Sequence, residues 1–253
     1  MADEVLYRRA GPVAWLTINR PQARNALDRA VRQGLFAGFD RFAADDAAVL
    51  VLTGAGEEAF SAGGDLKEMA EVKLEVPPPD FLPQLGRNVH LDKPVIAAVN
   101  GVAYGGGFLL AQNCDLCLAA DTARFGITEA RWGRGAPWAA LLPRLIPPRV
   151  ALQLLLTADP IDARRAYEVG LVNEVVPAAE LPARAQAWGE RIAANAPLSV
   201  RAGKAMVHQA PERPRAEAFA LAEALFEPAY LGADAQEGPR AFREKRPPRW
   251  TGR

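Results

Sequence analysis

Residues 94–117, PVIAAVNGVAYGGGFLLAQNCDLC, constrain this chain most: an apolar run, a bend, three consecutive glycines and a helix-like segment in unbroken succession. Without side chains, Gly105, Gly106 and Gly107 let a second molecule approach backbone N–H groups at a helix start, where the helix dipole favours developing negative charge. That is the geometry of an oxyanion site. A bend of similar character occupies Phe60-Ser61-Ala62-Gly63-Gly64-Asp65-Leu66-Lys67, again after an apolar run (Val49 to Thr53) and again opening a helix. Two amide-presenting turns are able to hold one oxygen between them.

The surrounding pattern is α/β. Val13 to Asn19 and Val49 to Thr53 are β-rich, and between them Asp28 to Phe42 carries Val31, Leu35, Phe36 and Phe39 at helical spacing, making a β-α-β unit. Phe60 to Val72 opens as a loop and turns helical, and Pro77-Pro78-Pro79 with Pro83 marks an irregular stretch suited to a lid or pocket wall. Pro94 to Val99 reads as a strand, Gly106 to Asn113 as a helix, Asp115 to Ala119 as a strand and Arg124 to Ile127 as a short extended piece. Asp162 suits the N-cap of a helix over Ala163 to Val169, closed by Gly170, after which Leu171 to Val176 resumes a strand. Alternation of this kind means α/β. From about Ala178 the pattern becomes helical only, at Leu181 to Asn195, Leu198 to Gln209, Pro214 to Leu231 and Ala233 to Lys245. Phe219, Ala222, Leu225 and Phe226 share a face there, and that stripe must cover the core or a neighbouring subunit.

Composition narrows the partners. Thirty basic residues balance thirty acidic ones, which gives no electrostatic reason to expect nucleic acid or a membrane surface. The start, MADEVLYRRAGPVAWLTINR, lacks a basic region followed by an apolar stretch, and no run approaches the roughly 20 apolar residues that span a bilayer. A cytoplasmic location is the expectation. Cys114 and Cys117 form a CxxC, but with no second cysteine pair and only His90 and His208 elsewhere, they read as small buried side chains rather than a redox pair or half a zinc site.

Other glycine motifs fail. Neither bend has the G-x-G-x-x-G spacing of a dinucleotide site, and after Gly101 and Gly106 come Gly107 and Phe108, where a P-loop needs Lys and Ser or Thr. There is no G-x-S-x-G elbow, so covalent catalysis is not indicated. What the second half offers is Glu129, a carboxylate set among apolar and aromatic residues, whose burial would raise its pKa toward the range of proton exchange near neutrality. The competing expectation, which composition alone favours, is a surface glutamate paired with Arg131 or Arg134.

The segments NRPQARNALD, VLTGAGEEAFSAGGDLKEM, KPVIAAVNGVAYGGGFLLAQNCDL, FGITEARWG and DARRAYEVGLVNEVVP, in that order, resemble the enoyl-CoA hydratase/isomerase (crotonase) family, with a weaker continuation into AFREKR. The resemblance implies a crotonase-like spiral of ββα units over residues 1–195, binding CoA and holding the catalytic site. It implies a helical oligomerisation region over residues 196–253, assembled as homotrimers or dimers of trimers. It places the oxyanion hole at the amides of Gly64 and Gly106, gripping the thioester carbonyl of an acyl-CoA, with no metal or redox cofactor. Losing one such donor typically costs roughly 3 kcal/mol of transition-state stabilisation. It also implies CoA or substrate contacts at Ala23, Arg24, Asn25, Ala62, Asp65, Leu66, Lys67, Leu109 and Trp132. Arg24 stands where relatives often carry an aliphatic residue, and Lys245 of a neighbouring subunit is a candidate for the CoA phosphates.

One departure is informative. Family hydratases carry a glutamate two positions after the glycine triplet, whereas this chain reads Gly105-Gly106-Gly107-Phe108-Leu109-Leu110. Leu109 exchanges no proton, and Glu129 matches the other family glutamate. The resemblance therefore implies a Δ3-Δ2-enoyl-CoA isomerase with one acid–base group. Alternatives are a hydratase in which Glu129 works alone or with Glu68, Glu71 or Asp80, and a protein that binds acyl-CoA without turnover. RNA binding, known for a few family members, lacks a basic cluster here. Acyl-chain identity rests on residues 68–90, Trp132, Trp138 and the tail, and Arg131 and Arg134 are candidates for meeting a polar acyl group.

Overall fold

The computed structural model describes residues 4–253; Met1 to Asp3, part of the N-terminal stretch read above, lie outside them. Strands β1 (Val5–Ala10) and β2 (Val13–Ile18) form an antiparallel hairpin turning at Gly11, whose φ of +59° suits glycine. β1 escapes the sequence reading because its half-exposed surface carries arginines instead of an apolar run. Helix α1 (Arg29–Ala44) starts where Asp28 accepts the Val31 N–H at 2.9 Å, and it buries Val31, Leu35, Phe39 and Phe42. It returns the chain to β3 (Val49–Gly54), parallel to β2 as the β-α-β pattern requires.

From β3 onward each long strand is followed by a short one in a second sheet. β4 (Ala59–Ser61) precedes α2 (Leu66–Glu71); β5 (Val95–Val99) leads to β6 (Val102–Tyr104) and α3 (Gly106–Asn113); β7 (Leu116–Ala120) leads to β8 (Arg124–Gly126). Next come a 3-10 stretch over Pro137–Arg144, α4 (Pro148–Thr157), β9 (Ile161–Asp162), α5 (Ala163–Glu168), β10 (Glu174–Val176) and α6 (Leu181–Ala193). The result is two sheets, ordered β1-β2-β3-β5-β7-β10 and β4-β6-β8-β9, wound as a spiral of ββα units. The corner between them is pinned by side-chain amides and hydroxyls: Asn100 Nδ2 donates to Gly56 O at 2.7 Å and Thr53 Oγ1 to Ala98 O at 2.8 Å. Helix α6 packs across β2, β3, β5 and β7 of the larger sheet.

Most elements lie within a few residues of their expected positions. The strand expected over 171–176 begins only at Glu174, because the Leu171 and Val172 amides turn back to Ala166 O at 2.9 and 3.3 Å to close α5 behind Gly170. Residues 137–157, to which the sequence pattern assigned no element, become a 3-10 stretch and a helix; Pro137, Pro143, Pro147 and Pro148 obscure their periodicity. The tail forms α7 (Pro197–Gln209), α8 (Arg215–Leu231) and α9 (Asp234–Arg243). α8 buries none of its residues, and Phe219, Tyr230, Leu231 and the Phe242 of α9 are exposed. Cys114 and Cys117 are free thiols, and burial pushes the Cys117 thiol up to about 12, so both behave as small core residues. Among the described residues, no helix is long and apolar enough to cross a membrane.

Candidate active site

The two glycine turns lie against each other. Gly63 at φ +94° and Gly105 at φ +52°, ψ −119° adopt backbone conformations that L side chains rarely enter, and each reverses the chain into the helix that follows. A Cβ placed on Gly63 would stand 3.3 Å from the Gly106 nitrogen, and one on Gly106 would stand 3.8 Å from the Gly64 nitrogen. Among the described residues, no oxygen takes up the Gly64 or Gly106 N–H. The first turn is anchored from below: Ser61 Oγ donates to Asn25 O at 2.8 Å and accepts the Gly63 N–H at 3.2 Å, and Leu27 N–H donates to Gly63 O at 2.8 Å. Two free amide donors from separate turns thus stand side by side.

Glu129 reaches them through strand register. β6 and β8 pair in parallel with Tyr104 opposite Gly126, and the Gly105 N–H donates to Gly126 O at 3.0 Å. Three residues beyond Gly126 the chain makes a 3-10 turn over Glu129–Trp132, and the carboxylate comes to rest over the Gly105 backbone. A Cβ on Gly105 would meet Glu129 Oε1 at 3.2 Å and Oε2 at 3.6 Å. Oε1 accepts the Trp138 indole N–H at 3.2 Å, while Oε2 is buried and has no partner. Burial raises the Glu129 pKa above the ordinary 4.5, opposed by hydrogen bonds from Trp138 and nearby backbone. The surface pairing weighed above is overturned: Arg131 pairs with Asp159 at 2.6 Å, and Arg134 donates to Leu74 O and Glu75 O at 2.7 and 3.0 Å. Arg134 fastens the segment before the proline cluster to the turn that carries Glu129.

The other expected contact residues divide. Ala23 and Ala62 are half-buried and Arg24 is exposed at φ +50° beside Glu58, all close to the Gly63 turn through the Ala62 N–H to Arg24 O bond of 2.9 Å. Leu66 and Lys67 are exposed on the first turn of α2. Asn25 requires correction: it is fully buried, its Nδ2 donates to Ala55 O and Ala59 O at 3.0 and 2.7 Å, and its Oδ1 accepts the Arg20 N–H at 2.9 Å. With every polar atom used, its side chain shapes the loop and meets no CoA. Asp65 is corrected in the same sense, since it caps α2 and pairs with Arg20 at 2.6 Å, leaving only its backbone to face a ligand. Trp132 is 61 % exposed, and Trp138 is the tryptophan that touches the site. Leu109 is buried among core hydrocarbon in α3. Lys245 is exposed beyond the end of α9 at φ +53°.

Three residues no sequence pattern singled out close over the amides. The Leu27 and Leu82 Cδ1 atoms lie 2.9 and 3.0 Å from where a Gly106 Cβ would be, and the Met69 methyl group lies against the Gly64 Cα. Two surface depressions lie elsewhere: one of about 430 Å³ beside Lys93 and Arg201, and one of about 560 Å³ between α1 and Phe81. Leu27, Leu82 and Met69 thus pack around the two glycines. Met69 lies on α2, which buries none of its residues, and Leu82 follows the exposed residues 75–80.

A family model for enoyl-CoA hydratase/isomerase matches residues 8–253. The chain belongs to this family. Carnitinyl-CoA dehydratases of Citrobacter koseri and Salmonella typhi are each 38% identical to it over 264 aligned residues, covering 100% of both chains. Enoyl-CoA hydratase structures from Mycobacterium tuberculosis and Mycobacterium marinum superpose with TM-scores of 0.90 at 38% and 39% identity, covering 99% of this chain and 100% of theirs. An acyl-CoA thioester is accordingly the substrate class expected of a hydratase/isomerase family member, and the spiral described above is the fold these relatives share.

Proposed function

We propose that this enzyme moves a proton at the carbon beside an acyl-CoA thioester, with Glu129 as the single acid–base group and the Gly64 and Gly106 amides holding the enolate oxygen. In the reaction favoured here, Glu129 removes a C2 proton from a 3-enoyl-CoA, the dienolate charge gathers on the thioester oxygen, and the proton returns at C4. The amides strengthen their hold as charge develops, so they act mainly on the transition state. The observation that carries this reading is the buried, unpartnered Oε2 of Glu129 beside the Gly105–Gly106 turn. Support also comes from what stands in for the missing acid. Leu109 titrates nothing, Glu68 is committed to Arg32 at 2.6 Å and to the Arg29 N–H at 2.9 Å, and Glu71 and Asp80 are exposed. The chemistry needs no metal or redox cofactor.

Hydration or dehydration is the second reading, favoured by the full-length likeness to carnitinyl-CoA dehydratases. There Glu129 would serve both the C2 proton and the oxygen at C3. Assaying wild type and Glu129→Gln on a 3-enoyl-CoA and a 2-enoyl-CoA separates the two by product. Removal of a general base typically costs about 10²–10⁴-fold in rate, and unchanged turnover in the variant would exclude Glu129 as the base. Binding of acyl-CoA without any product would leave only the non-catalytic reading. The exposed apolar residues of α8 and α9 support a homotrimer or dimer of trimers, checked by light scattering. In that assembly Arg24, and Lys245 from a neighbour, are the cations offered to the CoA phosphates.

A further inference from the structure

We infer that Trp138 is a positioning residue that reserves one oxygen of Glu129 for the substrate by occupying the other. This rests on Glu129 being the base. The indole N–H is a donor only and exchanges no proton in the working range, so the oxygen that accepts from it is the less favourable of the two for carrying the carboxyl proton. The bond goes to Oε1 at 3.2 Å, and Oε2 is left buried without a partner. A free carboxylate presents either oxygen by rotating about its terminal bond; with Oε1 tied, removal and return of the proton both pass through Oε2.

Helix α3 sets the tryptophan in place from two points one turn apart. Phe108 meets the Trp138 ring edge to face, with centroids 6.0 Å apart at 71°, and Phe108 in turn packs on Phe125 at 6.0 Å and 66°. Four residues on, Gln112 Nε2 donates to the Trp138 carbonyl at 3.1 Å. Gly106 is the first residue of the same helix. One rigid element therefore presents an enolate-holding amide at its end and, from its side, aims the group that removes the proton.

No charged group competes for this task. α3 carries no ionisable side chain, and Arg131 and Arg134 on the turn are engaged by Asp159 and by the Leu74 and Glu75 carbonyls. Arg149 on α4, and Lys73 and Glu75 on the segment that Arg134 fastens, are exposed, and the Tyr104 ring of β6 packs on Gly126. Trp138 is thus the side chain that stabilises ionised Glu129 against the burial that disfavours it.

The test compares wild type, Trp138→Phe and Glu129→Gln across pH on the thioester that wild type turns over. Phenylalanine keeps an aromatic ring against Phe108 and deletes the donor together with part of the indole's bulk. Trp138→Phe should lose roughly tenfold or more in kcat on the acidic side, as for a hydrogen bond to a charged group, with KM changed less than about twofold. Its acidic limb should move to higher pH, because the bond favoured the ionised base. A purely structural role would lower kcat equally at every pH, and an unshifted limb overturns the proposal. Full activity of Glu129→Gln would instead sink the assignment of the base itself. Should Trp138→Phe not fold, the wild-type enzyme still decides: the Trp138 indole ¹⁵N–¹H resonance should titrate with pH and stop titrating in Glu129→Gln, and a resonance that does not move refutes the contact.

Discussion

The two amides proposed to hold the thioester oxygen come from helices of opposite character. Gly106 opens α3, seven of whose eight residues are buried; Gly64 precedes α2, whose six residues include none. The first donor is fixed by packing, since Phe108, Leu109, Leu110 and Ala111 are locked into the main core and cannot shift without opening it. The second rests on hydrogen bonds at its turn, from Ser61 and Leu27, and on charge in the helix beyond. Arg20 holds Asp65 at 2.6 Å, and Arg32 holds Glu68 at the same distance while stacking over Phe81 at 4.1 Å. The difference teaches a division of labour: one half of the site is locked into the core, and the other is held by ion pairs nearer the surface.

The comparison is broken most severely at its packed side. Phe108→Ala removes a fully buried ring and should lower stability by about 3–5 kcal/mol in denaturant titrations; a loss below about 1 kcal/mol would mean that α3 is not set by packing. Arg20→Gln attacks the charged side. It should cost only about 1.5–3 kcal/mol of stability, as for a hydrogen bond to a charged group, yet lower kcat/KM about tenfold as the Gly64 donor drifts. Equal losses of stability in the two variants would erase the distinction. The Arg20 bond holds the Asp65 pKa below its usual value, so this support is present at neutral pH and disappears only as acid titrates Asp65 through its lowered pKa.

A smaller effect tests the burial of the base. The Glu129 pKa is raised in the folded state, so its ionised form opposes folding above the ordinary carboxylate range. Glu129→Gln should therefore be slightly more stable than wild type at pH 7 to 8, with the gain vanishing near pH 4, in paired thermal melts. A variant less stable at every pH would contradict the burial argument. The smallest change is expected from Met69→Ala: stability within about 0.5 kcal/mol, as for a surface site, and a faster association of acyl-CoA in stopped-flow mixing. An unchanged or slower on-rate would show that Met69 does not gate the amides.

Several of these features were legible in the chain itself. Apolar run, glycine bend and helix recur at Val49 to Lys67 and Pro94 to Asn113, and both became strand, turn and helix because glycine alone tolerates the reversal there. Of the second sheet only β8 was legible, as the extended piece at Arg124 to Ile127; β4 and β6 are three residues each and too short to show a period. Asn25 was expected to be a ligand contact by family resemblance; only the fold reveals that Ala55, Ala59 and Arg20 consume its side chain. Trp132 and Trp138 both follow Glu129 within one short stretch, and no local rule distinguishes the one that points inward.

What the residues alone determined is the inventory: two glycine turns that expose amides, a leucine where an acid is common, and a single glutamate downstream. What tertiary structure decided is their meeting. The parallel register of β6 against β8 puts Gly126 opposite Tyr104 and thereby swings Glu129 over Gly105, with α3 setting Trp138 against it. Backbone conformation is a local property that a residue type announces, whereas register is a choice among long-range pairings that only the packed core makes.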